Sequence, residues 1–222
     1  MNADAAIHWN CADWSPSELN AKLRELAAGT SVGLAGYTPR AGQVGLCCGL
    51  EQRVSVEVAG DVGDLLFFLG AEASLDVRGN AGNGLGHSMR SGRISVTGSV
   101  GNSAAAYATG GFIAVLGHAG AHCAHGLSGA DVFVRSRVGE QAAHGMRDGT
   151  LVLGNGCGEM LGSQMTGGVI YVRGEVASKA TGLRLDRMKN ADLLRLSLLL
   201  AEAGIKSQGS EFQVFRPEGV AA

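Results

Sequence analysis

The stretch GNAGNGLGHSMRSGRISVTG, residues 79–98, contains three alternate glycines followed by a short run in which polar and apolar residues alternate. The spacing of Gly82, Gly84 and Gly86 is similar to that of a phosphate-binding loop. A dinucleotide fingerprint, however, also needs a preceding strand, a following helix and an acidic residue about 20 positions later. Here Gly86 is followed by HSMRSG and then by RISV, an alternation typical of a strand. The sequence therefore predicts no nucleotide site at these glycines.

The same frame recurs every 19 residues along the chain. Ten residues after each frame glycine stands a glycine or alanine, and two apolar residues follow at alternate positions, as at Ile94 and Val96. A degenerate copy, with Val44 in place of the glycine, precedes the others. The frame glycines of the six regular copies are Gly63, Gly82, Gly101, Gly120, Gly139 and Gly158.

Such a period is typical of stacked units that bury a core only together. Short, β-branched, alternating runs favour strands over helices. The sequence thus predicts an all-β fold, a single-stranded β-helix or β-solenoid of about seven rungs, with neighbouring strands about 4.8 Å apart. We expect the glycines to form the sharp corners at positive φ. Long apolar side chains are expected to fill the core, in the column Met89, Leu127, Met146 and Met165.

The two ends differ from the repeat. Ser15 and Glu18 form a capping box with Pro16 at the first helical position, which predicts a short amphipathic helix. Asn190 is the expected cap of a second, leucine-rich helix that ends at Gly204. Because leucines surround that helix, we expect it to be buried on nearly all sides. Both helices are expected to cap the open ends of the coil, a role compatible with docking onto a partner subunit.

These observations give three segments. Residues 1–43 are an N-terminal capping segment with a short helix, residues 44–174 are the β-helix, and residues 175–222 are a C-terminal helix and tail for capping or docking.

Composition excludes several functional classes. The formal net charge is -2 and no lysine or arginine cluster marks a nucleic-acid or anionic-membrane surface. No apolar run approaches the roughly 20 residues of a membrane span, and the N-terminus lacks the features of a secretory leader. The five cysteines form no CxxC pair, which favours reduced, buried thiols and a cytoplasmic location.

Histidines supply the main candidate chemistry. The stretch GHAGAHCAHG contains His118, His122 and His125, but a helical metal motif does not fit this glycine-rich context. His125 and His144 share a repeat column with His87, so they are expected to stack about 4.8 Å apart in adjacent rungs. A polar ladder is the favoured interpretation, and a metal site or proton relay is the alternative.

Other reactive groups are sparse. The pair Arg147 and Asp148 indicates a solvated corner or an interface ion pair. No nucleophile, zinc or triad motif is present. We therefore expect no catalytic, cofactor-binding or metal-binding residues in this chain.

The rungs GNAGNGLGHSMRSGRISVTG and GCGEMLGSQMTGGVIYVRG closely resemble the GXGXG repeat domain at the C-terminus of the glutamate synthase large subunit. They are also similar to stand-alone relatives of that domain, the small GXGXG subunit of N-methylglutamate synthase and the GXGXG subunit of formylmethanofuran dehydrogenase. The resemblance covers about residues 44–174, and the continuation to Pro217 looks most like the N-methylglutamate synthase subunit. Departures at Ala130, Ser136 and Asn155 predict less regular corners in the middle of the coil.

The resemblance implies a right-handed β-helix that acts as a noncatalytic scaffold. Its partners would be a glutamine amidotransferase subunit and a synthase subunit that carries FMN and an iron-sulfur cluster, with this chain walling part of an ammonia route in methylamine metabolism. One alternative is the GXGXG subunit of a formylmethanofuran dehydrogenase or formyltransferase/hydrolase complex. Another is a stand-alone enzyme with a site near His125 and His144.

Overall fold

The computed structural model describes residues 7–207 and 209–219, in which eleven strands form one sheet and two α-helices pack on the coil. The elements in chain order are β1 Ile7–Asn10, α1 Pro16–Arg24, β2 Ser31–Ala35, β3 Ser55–Val58, β4 Ser74–Val77, β5 Arg93–Val96, β6 Phe112–Val115, β7 Ser128–Val134, β8 Asp148–Leu153, β9 Val169–Val172, β10 Leu183–Asp186, α2 Asn190–Glu202 and β11 Gln213–Pro217. A short 3₁₀ helix, Gly209–Glu211, precedes β11. Neither helix of these described ranges is long and apolar enough to cross a bilayer.

The predicted β-solenoid is confirmed. Strands β3 to β9 pair in parallel, each with the next one along the chain, so that this part of the coil makes six turns. Leu75, Ile94 and Ile113 lie at equivalent positions of successive strands, and all three side chains are fully buried. The predicted filler column is buried as well, with Met89 at 0% exposure. Apolar side chains fill the inside of the coil from one end to the other.

A second ladder lies opposite the sheet, in the segments of each rung between the frame glycine and the strand. There every second residue is left-handed, as at Leu65, Phe67 and Leu69, with φ between 57° and 58°. The N–H of Leu65 and that of Leu69 bond forward to the next rung, and the N–H of Phe67 bonds back to the previous one, at 2.8, 3.1 and 2.9 Å. We call these segments the turn face. Each left-handed non-glycine residue costs about 1–2 kcal/mol, which the hydrogen bonds between rungs offset.

The frame glycines serve a different purpose from the one expected. Gly84 and Gly86 do have positive φ, but Gly101 and Gly139 do not. A Cβ on Gly139 would lie 2.6 Å from the backbone nitrogen of Ala121 in the preceding rung. In the frame column, glycine is therefore required by the close approach of two backbones. Most left-handed positions of the turn face are instead occupied by residues with side chains.

Polar side chains also connect the rungs at the frame corner. Asp64 accepts from the N–H of Asn83, Asn83 from that of Asn102, and Asn102 from that of Ala121, at 2.7, 2.8 and 2.9 Å. Each amide or carboxylate oxygen thus satisfies a backbone donor one rung ahead. This ladder was not foreseen from the sequence.

The N-terminal segment extends the coil as well as covering it. Strands β1 and β2 add to the sheet in parallel with β3. Between them, α1 begins at the predicted capping box of Ser15 and Glu18. The buried Asn20 amide donates to the carbonyl of Gly45 and accepts from the N–H of Cys47, at 2.7 and 2.6 Å. Helix α1 therefore covers the first rung of the turn face.

The C-terminal segment closes the opposite end with antiparallel strands. β11 pairs with β9, and β10 pairs with β11. Leu183, at the start of β10, is fully buried in the interior of the coil. The expected irregularity in the middle of the coil is present, because the pairing of β7 with β8 shifts register between Ser128 and Asp131, beside Ala130.

Helix α2 lies elsewhere than expected. We expected it over the open end of the coil, whereas it packs against the outer face of the sheet, where Phe112, Phe133 and Tyr171 point away from the coil interior. Its burial is also one-sided, since Leu194 and Leu198 are 66% and 59% exposed. Its N-cap is Lys189 and not Asn190. The outward aromatic side chains of β6, β7 and β9 explain this position, because α2 removes them from water.

Replacing a left-handed residue with glycine should stabilise the coil. Gln164 is exposed with φ of 56°, so Gln164→Gly removes a penalty of about 1–2 kcal/mol and adds about 0.5–1 kcal/mol of backbone entropy cost. We expect a net gain of about 0.5–1 kcal/mol in the free energy of unfolding, measured by urea titration. Gln164→Ala is the control and should change stability little. A destabilised glycine variant would contradict the proposed strain.

The frame column should reject even one methyl group. In Gly139→Ala the new Cβ would overlap the backbone of the preceding rung, and we expect a loss of about 1–3 kcal/mol in urea unfolding. Gly182→Ala is the matched control, because no atom lies within 4 Å of a Cβ there. Equal stability of the two variants would show that the close backbone approach is not the reason for glycine.

Candidate functional site

The alternate glycines of the opening stretch do not form a phosphate loop. The N–H of Gly84 donates to the carbonyl of Asn102 at 2.8 Å, and that of Gly86 donates to Leu66 at 2.9 Å. Gly82 donates to the carbonyl of Val62 at 3.1 Å. A phosphate cradle needs several free N–H groups that converge on one point. These donors are instead used in bonds between rungs.

The histidine column forms a row of rings along the turn face, which we call the ring row: Phe68, His87, Tyr107, His125 and His144. The rings of His125 and His144 are stacked, with centroids 4.9 Å apart and planes inclined by 3°, as the repeat period predicts. Tyr107 fills the gap left by Ala106, and its centroid lies 5.4 Å from that of His87 and 5.0 Å from that of His125. The Tyr107 hydroxyl is 2.7 Å from Nε2 of His125.

The environment of the ring row favours neutral imidazoles. Partial burial, together with the neighbouring His144, His122 and His87, lowers the pKa of His125. Burial lowers the pKa of His87 as well. Nδ1 of His144 is buried without a hydrogen-bond partner among the described residues. Desolvation and mutual repulsion thus oppose a second positive charge in the row.

The three histidines of GHAGAHCAHG are only partly brought together. His118 is exposed outside the ring row, whereas the ring centroids of His122 and His125 lie 6.2 Å apart, edge to face. Within the described ranges, no group of three or more histidine, cysteine or carboxylate side chains could hold a metal ion.

The cysteines are free thiols, and four of the five are buried. Burial raises the pKa of Cys123 to about 12, and burial raises that of Cys157 to about 11. Because the thiolate is the reactive form, these two groups are poor nucleophiles at neutral pH. Their place in the apolar interior makes them core residues.

A cleft of about 450 Å³ lies between α2, β8 and β9, and sequence analysis did not identify it. Its walls include Thr150, Tyr171, Arg195 and Arg216. Residues from distant parts of the chain form it, with no local motif that could have indicated it. The adjacent pair Arg147 and Asp148, noted in the sequence, is exposed, and only Asp148 of the two lines the cleft.

The charged groups of the cleft hold α2 on the sheet. Asp131 accepts from Arg195 through both oxygens at 2.7 Å. Buried Asp192 accepts from the Tyr171 hydroxyl at 2.9 Å and pairs with Arg216, which also bonds Asp186 at 2.9 Å. Burial and the Asp192 carboxylate raise the pKa of Tyr171, so the phenol stays a proton donor. Both arginines are thus engaged by aspartates, and the network works as a clamp for α2.

Neither a scan against protein-family models nor a search of curated proteins finds a match for this chain.

The ring row should make stability depend on pH. Because the folded-state pKa values of His125 and His87 lie below the ordinary 6.5, the unfolded chain binds more protons, and stability is lost as pH falls below 6.5. We expect the free energy of unfolding to decline more steeply for the wild type than for His125→Gln, in urea titrations at several pH values. His118→Gln, outside the row, should behave like the wild type. Identical slopes for all three proteins would contradict the role of the row.

Proposed function

We propose that this chain is a noncatalytic structural subunit of a heteromeric, glutamate-synthase-like enzyme, and that the enzyme is an N-methylglutamate synthase, whose small GXGXG subunit the sequence resembles. In this proposal a glutamine amidotransferase subunit releases ammonia, and a synthase subunit with FMN and an iron-sulfur cluster performs the amino-acid chemistry. The chain fixes the distance between these two partners.

The observation that supports this proposal best is the rigid, solid coil. Rungs are joined by backbone bonds on the sheet side and on the turn face, and side-chain amides join them at the frame corner. The interior is filled by one continuous apolar cluster. Bending such a coil would break several hydrogen bonds at each rung, so it suits a spacer between partners.

The turn face offers a surface for such a partner. Four of its large apolar side chains are 44–49% exposed, namely Val44, Leu69, Tyr107 and Met160. They span six rung steps, or about 29 Å at 4.8 Å a step. Exposed apolar side chains spread along one face are typical of protein contact surfaces.

The packed interior constrains the proposed ammonia route. Apolar side chains occupy the inside of the coil, so it has no room for a channel along its axis. The chain would therefore wall such a route with its outer surface, against a partner subunit.

Purification of the tagged chain from its own cells tests the proposal. We expect an amidotransferase and a flavin-binding, iron-sulfur subunit to copurify in fixed proportion, identified by mass spectrometry. The double variant Leu69→Glu/Tyr107→Glu should lose at least one of these subunits because it adds charge to the turn face. Leu185→Glu is the matched control, since Leu185 is 59% exposed at the end of the coil and off this face.

Two results would contradict the proposal. Molybdenum or tungsten subunits, or a formyltransferase, among the bound chains would favour the formylmethanofuran dehydrogenase alternative. Turnover of substrate by the purified chain alone, lost in His144→Ala, would indicate an enzyme with a site in the ring row.

A further inference from the structure

Helix α2 has two opposite apolar faces. One face carries Leu196, Leu199 and Leu200, which are 0–3% exposed against the sheet. The other face points to solvent and bears an apolar stripe, Ala191, Leu194, Leu198 and Ala201, in which all four residues are exposed. Its spacing of three, four and three residues is that of a helix-to-helix seam.

The stripe is symmetric about residue 196. Alanines stand five residues to either side of that centre, and leucines stand two residues to either side. A second α2 that runs antiparallel across the stripe would place the partner's Leu198 opposite Leu194 and the partner's Ala201 opposite Ala191. A two-fold interface requires a surface that is complementary to itself. The stripe meets this requirement, whereas an interface with an unrelated protein has no need of such symmetry.

The charges beside the stripe fit the same arrangement. Exposed Lys189 stands at the N-terminal end of α2, and Glu202, with 47% of its side chain exposed, stands at the C-terminal end. Antiparallel packing brings each Lys189 close to the partner's Glu202, and the helix dipoles then oppose each other favourably. Arg195, which lies near the two-fold axis, is turned to Asp131 by its bidentate bond, so its charge is compensated within the chain.

We propose that the stripe binds a second copy of this chain, with the two α2 helices antiparallel about residue 196. The inference does not depend on the proposed function, because it uses only the exposed face of α2. In the dimer the two coils lie on opposite sides of the helix pair, and both turn faces stay free.

Sedimentation velocity of the purified chain over a range of concentrations provides the first test. We expect a species with twice the 22.6 kDa chain mass, and complete loss of this species in Leu194→Glu/Leu198→Glu. Leu185→Glu, an equally exposed leucine outside the stripe, should keep the dimer. Circular dichroism checks that each variant is folded. A monomer at all concentrations, or a dimer that survives the double substitution, would overturn the proposal.

Disulfide formation tests the orientation of the helices. In a Cys48→Ser background, which removes the one half-buried native thiol, chains with Leu194→Cys are mixed with chains with Leu198→Cys under mild oxidation. We expect a mixed disulfide between the two kinds of chain at several times the yield of either self-linked product. Predominant self-linking would indicate parallel helices, and no linking would indicate that the stripes do not meet. Either result would overturn the proposed interface.

Discussion

Backbone contact between successive rungs is the constraint on which the rest of the structure depends. Each rung bonds to its neighbours through the strand on one side and through alternately left-handed residues on the other. At the frame corner the chains approach so closely that a Cβ on Gly139 would overlap the preceding rung. One backbone conformation is therefore imposed on every copy, whatever side chains it carries. Because each rung must supply a strand, a corner, a turn face and part of the core, little freedom is left to any residue.

This constraint also decides which chemistry the surface can display. A side chain at a given column recurs one rung away, so like residues become neighbours. Imidazoles and a phenol form the ring row in this way, and their contacts keep the rings neutral. Amides at the frame corner use their oxygens on the next backbone N–H. Groups that would suggest a binding site in another fold are here used to join rungs.

The C-terminal segment adds what the coil lacks. Outward aromatic residues on β6, β7 and β9 would be exposed without α2, and the charged clamp through Asp192 and Arg216 fixes the helix above them. The helix in turn carries an apolar stripe to the surface of the molecule. The regular coil and its added helix thus offer two separate surfaces, the turn face and the stripe, which can be occupied at the same time.

The sequence by itself determined the period, the strands, the buried columns and even the stacking of His125 on His144, because each of these depends on a repeat in which neighbours in space lie one period apart. Only the tertiary structure decided that Leu65 and Phe67 are left-handed and that α2 lies on the side of the coil. Left-handed residues are stabilised by bonds to other rungs, and the cleft joins residues far apart in the chain. Such long-range contacts leave no local pattern, so neither propensity nor helical periodicity could have indicated them.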